Sequence, residues 1–258
     1  MKFAVTTARN NARSFTDTAK QWAKILEAEF LPRKNYGTIE DLLTENNLDA
    51  VVVASAQGAQ IVSSEGKFFY HPSMAALRIK KLKNNENDNF ASALGLHKGM
   101  RILDATLGLA SDAAIASYLA GKEGKVTGLE ASKLIAFAVQ QGLASYKTGD
   151  AELDEALRRI EVVHTCAEEY LKSCPPDSFD VVYFDPMFRY PVNGSIAMHA
   201  MRPFSYDRPL TAEAVRLALK AAPKVVIKER TENILKEYGC REISGGRYSN
   251  VKYGVLRR

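Results

Sequence analysis

Cysteine is scarce in this chain. Cys166, Cys174 and Cys240 are the whole set. No two are spaced as Cys-x-x-Cys, and no His/Cys pattern has zinc-ligand spacing. That excludes a disulfide scaffold and gives no metal site, so a reduced cytoplasmic protein is expected. Long apolar runs are also missing, and none approaches the length of a membrane span. The amino-terminal Met1-Lys-Phe-Ala-Val-Thr-Thr has too short an apolar core for a signal peptide. There is no internal repeat. The phosphate-cradling pattern G-x-G-x-x-G is absent, which counts against a dinucleotide cofactor such as NAD.

What is present is ordinary in bulk. Of 258 residues, 46% are apolar and 25% charged, enough for a core in one large domain, alone or with a small appendage. The formal charge of +5 suits a polyanionic partner such as RNA. A mildly basic enzyme without such a partner has the same balance.

Hydrophobic periodicity predicts a strand over 2–6, a helix over 16–30, a short helix over 39–45, a strand over 50–54, and two strands over 60–63 and 67–70. Residues 71–83 read as a basic helix capped by Ser73, with Met74, Leu77 and Lys81–Leu82 at helical spacing. Its cations Arg78, Lys80, Lys81 and Lys83 form either a solvated face or a phosphate-contacting one. The polar run 84–89 reads as a loop and a domain boundary. Residues 1–83 are therefore expected to form a small α+β unit with a connecting helix, and 84–258 the main domain. From Phe90 onward strands and helices alternate, with strands at 101–103, 125–129, 160–164, 180–184 and 224–227. The expected helices are 111–120, 132–145, 151–157, 167–173 and 211–221. This is the pattern of an α/β, Rossmann-like doubly wound parallel sheet with helices on both faces. A hairpin-like β tail at 243–256 closes it.

Two strands end abruptly on aspartate. Ile102-Leu-Asp104-Ala-Thr106-Leu-Gly108-Leu-Ala-Ser-Asp112 runs from strand to helix, and its glycine allows a sharp turn against a ligand. S-adenosylmethionine (SAM) has no phosphate and needs fewer glycines than a dinucleotide. Asp104 suits its amino group, and equally a turn-capping role. Glu130 ends the next strand a little over twenty residues beyond Gly108, where an acidic side chain can accept from ribose hydroxyls. Thr165, Cys166 and Ala167 lie where an adenine would rest. Cys166 reads as a packing residue, since nothing beside it would activate a thiol.

The second strand end is Val181-Val-Tyr-Phe-Asp185-Pro186-Met187-Phe188. A carboxylate and a backbone carbonyl there can accept both N–H bonds of an exocyclic nucleobase amine, freeing its lone pair for attack on a sulfonium methyl. Pro186 directs the carbonyl, and Phe188 can hold the base by stacking, worth about 1–3 kcal/mol. Arg189, Arg202 and neighbouring aromatics suit a splayed RNA base with its flanking phosphates. Lys228 follows a further strand and can reach the same rim.

At these residues the chain resembles the RsmJ-like group of 16S ribosomal RNA guanine-N2 methyltransferases, a class I SAM-dependent family. The likeness runs from about Phe90 to the C-terminus through Asp104-Ala-Thr-Leu-Gly108-Leu with Asp112, Glu130, Asp185-Pro-Met-Phe188, Met201-Arg202 and Val226-Ile-Lys228. It implies SAM as methyl donor, bound by Asp104, Thr106, Gly108, Asp112, Glu130, Ala131, Thr165, Cys166, Ala167 and Asp185. It also implies a guanine of the small ribosomal subunit as acceptor, met by Asp185, Pro186, Met187, Phe188, Arg189, Arg202 and Lys228. Two departures mark a divergent branch: Ala110-Ser111 stands where Gly-Arg is expected, and Arg189-Tyr190 precede the proline expected directly after Phe188. Methylation of another amine, on tRNA, DNA or a small molecule, and a non-catalytic RNA-binding module on the same fold are the competing readings.

Overall fold

The structure, a computed structural model, describes residues 1–186, 202–205, 208–245 and 251–258, with Ser73 and Arg202 described by backbone alone. It divides into two compact units.

The first begins with β1 (Phe3–Thr7), α1 (Ala12–Leu26), β2 (Glu29–Phe30), α2 (Ile39–Glu45), β3 (Ala50–Ser55), β4 (Gly58–Ser63) and β5 (Gly66–Phe69). They form a mixed sheet in the order β2-β1-β3-β4-β5. Helix α1 starts and stops four residues before the predicted span. Glu27 turns left-handed at φ 53°, and its N–H bonds back to Ala23 and Lys24, a helix-ending geometry. Phe30 is thereby released to pair with Val5 in a parallel ladder. Helix α2 starts where its chemistry says it should. Thr38 Oγ1 accepts from the Asp41 N–H, and the Asp41 carboxylate accepts from Thr38 N, a reciprocal cap.

The chain continues through α3 (Ser73–Lys83), α4 (Asn89–Leu94), β6 (Arg101–Asp104), α5 (Ser111–Ala120), β7 (Lys125–Glu130), α6 (Lys133–Ser145), α7 (Ala151–Arg158), β8 (Ile160–His164), α8 (Ala167–Ser173), β9 (Val181–Phe184), α9 (Ala212–Ala221), β10 (Lys224–Glu229), α10 (Glu232–Glu237), β11 (Glu242–Ser244) and β12 (Lys252–Arg257). Helix α4, for which no helix was expected, begins on the last residue of the expected loop 84–89, because Asp88 accepts from the Ala91 N–H and caps it. Ser73 opens α3, one place later than a cap, since Pro72 occupies the capping position.

The second unit holds a seven-stranded sheet in the order β11-β12-β10-β9-β6-β7-β8. Strands β8, β7, β6, β9 and β10 are parallel, and β12 is antiparallel to both β10 and β11. This is the α/β Rossmann-like arrangement expected, with the tail supplying the antiparallel edge. Strands buried on both faces read as continuous apolar runs, and Val181–Phe184 is buried at every position. Strand order reverses between β6 and β9. In such sheets that switch point opens a crevice beyond the strand carboxyl ends, where ligands bind.

Helix α6 belongs to the first unit, where Phe137 meets Trp22 edge-on with ring centroids 5.4 Å apart. Gly142 lies so close to Tyr70 that a Cβ would stand 2.3 Å from the ring. Gly142→Ala should therefore cost the first unit about 1–3 kcal/mol by overpacking, despite the better helix propensity of alanine. A thermal melt unchanged or raised in the variant would contradict that packing.

Candidate active site at the carboxyl edge of the parallel strands

Strands β6 and β9 deliver two aspartates to adjoining positions. The chain after β6 crosses to β9 through Ala105 N–H to Tyr183 O at 2.9 Å. Thr106 then ties the two strand ends together. Its N–H donates to Asp104 Oδ1 at 3.1 Å, and its Oγ1 accepts from the Asp185 N–H at 2.6 Å. Asp104 is buried, and its Oδ2 accepts no bond from the described residues.

The loop beyond turns twice through left-handed backbone, at Gly108 (φ 48°) and Ala110 (φ 57°). Ala110 is the position where the resembling family carries glycine, so here an alanine holds a conformation that suits glycine. Leu107 is seated by its N–H to Leu129 O at 2.8 Å. Its side chain covers Gly128, where a Cβ would stand 2.4 Å from Leu107. Glycine within β7 is thus what admits the loop.

Glu130 clamps this turn. Oε2 accepts from Gly108 N at 3.1 Å and Oε1 from Ser132 N at 2.8 Å. Each oxygen retains a lone pair, so the carboxylate both fixes the loop and stays able to accept from a ligand hydroxyl. Burial raises its pKa, against the backbone N–H groups that favour the charged form. Thr165 N–H donates to Glu130 O at 3.1 Å, His164 Nε2 lies 3.2 Å from Ala131 O, and Cys166 immediately precedes α8, which Ala167 opens. Asp104, Thr106, Gly108, Glu130, Ala131, Thr165, Cys166 and Ala167 all lie on this one stretch of strand ends.

Asp112 behaves differently. Its side chain is 10% exposed, and protein donors meet both of its oxygens. Arg78 Nη1 stands 2.5 Å from Oδ1, while Tyr183 OH and Lys228 Nζ stand 2.7 and 3.2 Å from Oδ2. Lys228 Nζ also reaches Asp185 Oδ2 at 2.7 Å. Arg78, Asp88 and Tyr183 escape a reading by motif. The pertinent signal was periodic: Arg78 adjoins the Ala75–Ile79 face, which is buried, whereas Met74 and Leu77 are 58% and 60% exposed. Of the expected acceptor-side residues, Met187, Phe188 and Arg189 lie outside the described residues, and Arg202 begins a short 3-10 turn.

Three neighbouring aspartates are thereby set to different charge states. Burial pushes Asp104 up to about 8, with Asp112 adding to the rise. Burial also raises Asp185, to about 6, against the pull of Lys228. Burial opposes ionisation of Asp112 too, yet Lys228 and Arg78 hold it below the usual carboxylate range. At neutral pH Arg78 and Lys228 face ionised Asp88, Asp112 and Asp185, which leaves one excess negative charge beside a protonated Asp104. Among the described residues no cluster of His, Cys, Asp and Glu has the makings of a metal site, and no helix is long and apolar enough to cross a membrane.

Residues 43–232 match the family model described as putative SAM-dependent methyltransferase. The chain belongs to that family. It is 35% identical over 254 residues to the uncharacterized protein YpiP of Bacillus subtilis (strain 168), covering 98% of each. It is 31% identical over 202 residues to ribosomal RNA small subunit methyltransferase J of Aliivibrio fischeri (strain MJ11), covering 71% of this chain and 76% of that one. Against the protein of the same name from Aeromonas hydrophila it is 33% identical over 164 residues, covering 61% and 64%. The family and fold make SAM the cofactor of this methyltransferase. The crevice suits it: one excess negative charge meets a sulfonium, and an ammonium placed beside Asp104 would favour the ionised carboxylate over the protonated one.

The protonation of Asp104 has a consequence for stability. Its carboxyl holds a proton in the folded state up to about pH 8 but loses it near pH 4 when unfolded. Stability from this group is therefore full below pH 4 and is lost as pH rises towards 8. Asp104→Asn should flatten that decline by up to about 1.4 kcal/mol per pH unit. Urea melts at pH 5, 6 and 7 measure it; parallel slopes for the two proteins would refute the protonated state.

Proposed function

We propose that this methyltransferase acts on an exocyclic nucleobase amine, guanine N2 of small-subunit rRNA, with Asp185 as the carboxylate that receives the amine. The observation that carries the reading is Asp185 itself. It ends a fully buried strand, it is ionised at neutral pH, and its backbone is tied through Thr106 to the loop of the cofactor crevice. Two relatives named as ribosomal RNA small subunit methyltransferase J support an RNA acceptor, as does the formal charge of +5.

SAM would supply an electrophilic sulfonium methyl. In this reading Asp104 accepts from its ammonium and Glu130 from its ribose hydroxyls. Gly108 lets the backbone approach, and Thr106, Ala131, Thr165, Cys166 and Ala167 line the remainder. Asp185 and the Pro186 carbonyl accept the two N–H bonds of the acceptor, which points the nitrogen lone pair away from the ring and towards the methyl. Holding two reactants in near-attack geometry removes several kcal/mol of entropic barrier. Phe188 would stack on the base, with Met187 and Arg189 at its flanks. The proton leaving the alkylated nitrogen passes to Asp185 or to water.

Asp185→Ala should lower kcat by at least about a hundredfold while SAM affinity by calorimetry stays within severalfold of the parent. Loss of SAM binding instead would make Asp185 a cofactor or structural residue. Glu130→Ala should weaken SAM binding by about 1–3 kcal/mol, the cost of leaving hydroxyls and loop N–H groups unpaired; unchanged affinity would refute the ribose role. Mass spectrometry of rRNA nucleosides from a strain lacking this gene tests the acceptor. One missing N2-methylguanosine is expected, and a full set of rRNA marks would reject rRNA as substrate.

A further inference from the structure

An unbroken line of charge runs from α3 to the end of β9. Arg78 grips Asp88 with two nitrogens, Nε to Oδ2 at 2.8 Å and Nη2 to Oδ1 at 2.9 Å. Its Nη1 extends to Asp112. Asp112 holds Lys228, and Lys228 holds Asp185. The line is walled by aromatic rings. Arg78 lies 5.4 Å over the Phe90 ring, Phe90 meets Tyr183 edge-on at 4.8 Å, and Tyr183 donates to Asp112. Each carboxylate is met by protein donors, as a buried ionic network requires.

We propose that Arg78 is a positioning residue for methyl transfer: through Asp112 it seats Lys228, and Lys228 in turn orients Asp185 for the acceptor amine. This deepens the reading of Asp185 given above and rests on it.

The chemistry follows from competition for one ammonium. Lys228 Nζ is shared between two carboxylates, 3.2 Å from Asp112 and 2.7 Å from Asp185. Arg78 satisfies much of the Asp112 charge, so Lys228 is free to lean towards Asp185. Without the guanidinium, Asp112 has one cation left and draws Lys228 away. Asp185 then loses both its anchor and the charge that opposes its protonation. Among the described residues, the other titratable groups that bear on Asp185 include Glu229 on the same strand as Lys228, Asp104, and the phenols of Tyr183 and Tyr253. None of these four carries a positive charge, so none of them can take the place of Lys228. Lysine cannot substitute fully for Arg78, because one ammonium lacks the planar fork that spans two carboxylates.

The experiment compares the parent with Arg78→Met, Arg78→Lys and Asp185→Ala. The assay is transfer of labelled methyl from SAM to small-subunit rRNA prepared from a strain lacking the gene. Arg78→Met should lower kcat about tenfold or more, by the usual worth of a lost positioning contact, with KM for SAM within about threefold. The acid limb of its kcat–pH profile should move upward from the parental value near pH 6, because Asp185 then holds its proton more tightly. Arg78→Lys keeps the buried charge and so folds even where the methionine variant does not; it should recover part of the rate and shift the limb less. A lowered melting temperature with kcat and acid limb unchanged in the lysine variant would overturn the proposal and leave Arg78 a structural residue. Should Asp185→Ala keep its activity, the acceptor reading itself fails, and that outcome is distinct from failure of Arg78 alone.

Discussion

A carboxylate buried between a guanidinium and an ammonium organises the second unit. Asp112 sits at the start of α5, and its partners come from α3, β9 and β10. An ion this enclosed survives only if its desolvation is offset by close partners and its lone pairs are filled. Arg78, Lys228 and Tyr183 supply the close partners and three of the bonds. They also join four elements far apart in sequence at one point beside the crevice, so the geometry of the strand ends depends on a charge balance as well as on packing.

That balance separates three aspartates that composition alone cannot distinguish. Asp104 has a single backbone donor and is neutral through most of the physiological range. Asp112 is opposed by burial, yet its two cations hold it below the usual carboxylate range. Asp185 has one shared cation and titrates near 6. Pairs of acids whose surroundings push them apart mark sites where proton affinity matters. The negative excess suits a cationic cofactor, and the titrating member is the carboxylate proposed to receive the acceptor amine.

Much of this was legible in residue order, and the exceptions share a cause. Strand ends at Asp104, Glu130 and Asp185 stand out because apolar runs stop on acids there. Helix α1 was misplaced because its end is set by the left-handed turn at Glu27 and by Phe30 joining a sheet edge, neither of which periodicity encodes. Helix α4, just past the polar run 84–89, was missed because six residues carry little periodic signal, and its cap, Asp88, is shared with Arg78. Arg78 itself looked like one of four cations on a basic helix. Its partner Asp112 is 34 positions away, and only folding brings a buried acid to meet it.

By itself the sequence determined the alternation of strands and helices, the strand ends that carry acids, and hence the class of fold and cofactor. Those properties are local: they follow from side-chain period, β-branching and turn chemistry within a few residues. Tertiary structure decided which acids are neutral, which are charged, and which cation each keeps. Burial and distance set proton affinity, and both exist only once the chain has brought Arg78, Asp112, Lys228 and Asp185 together.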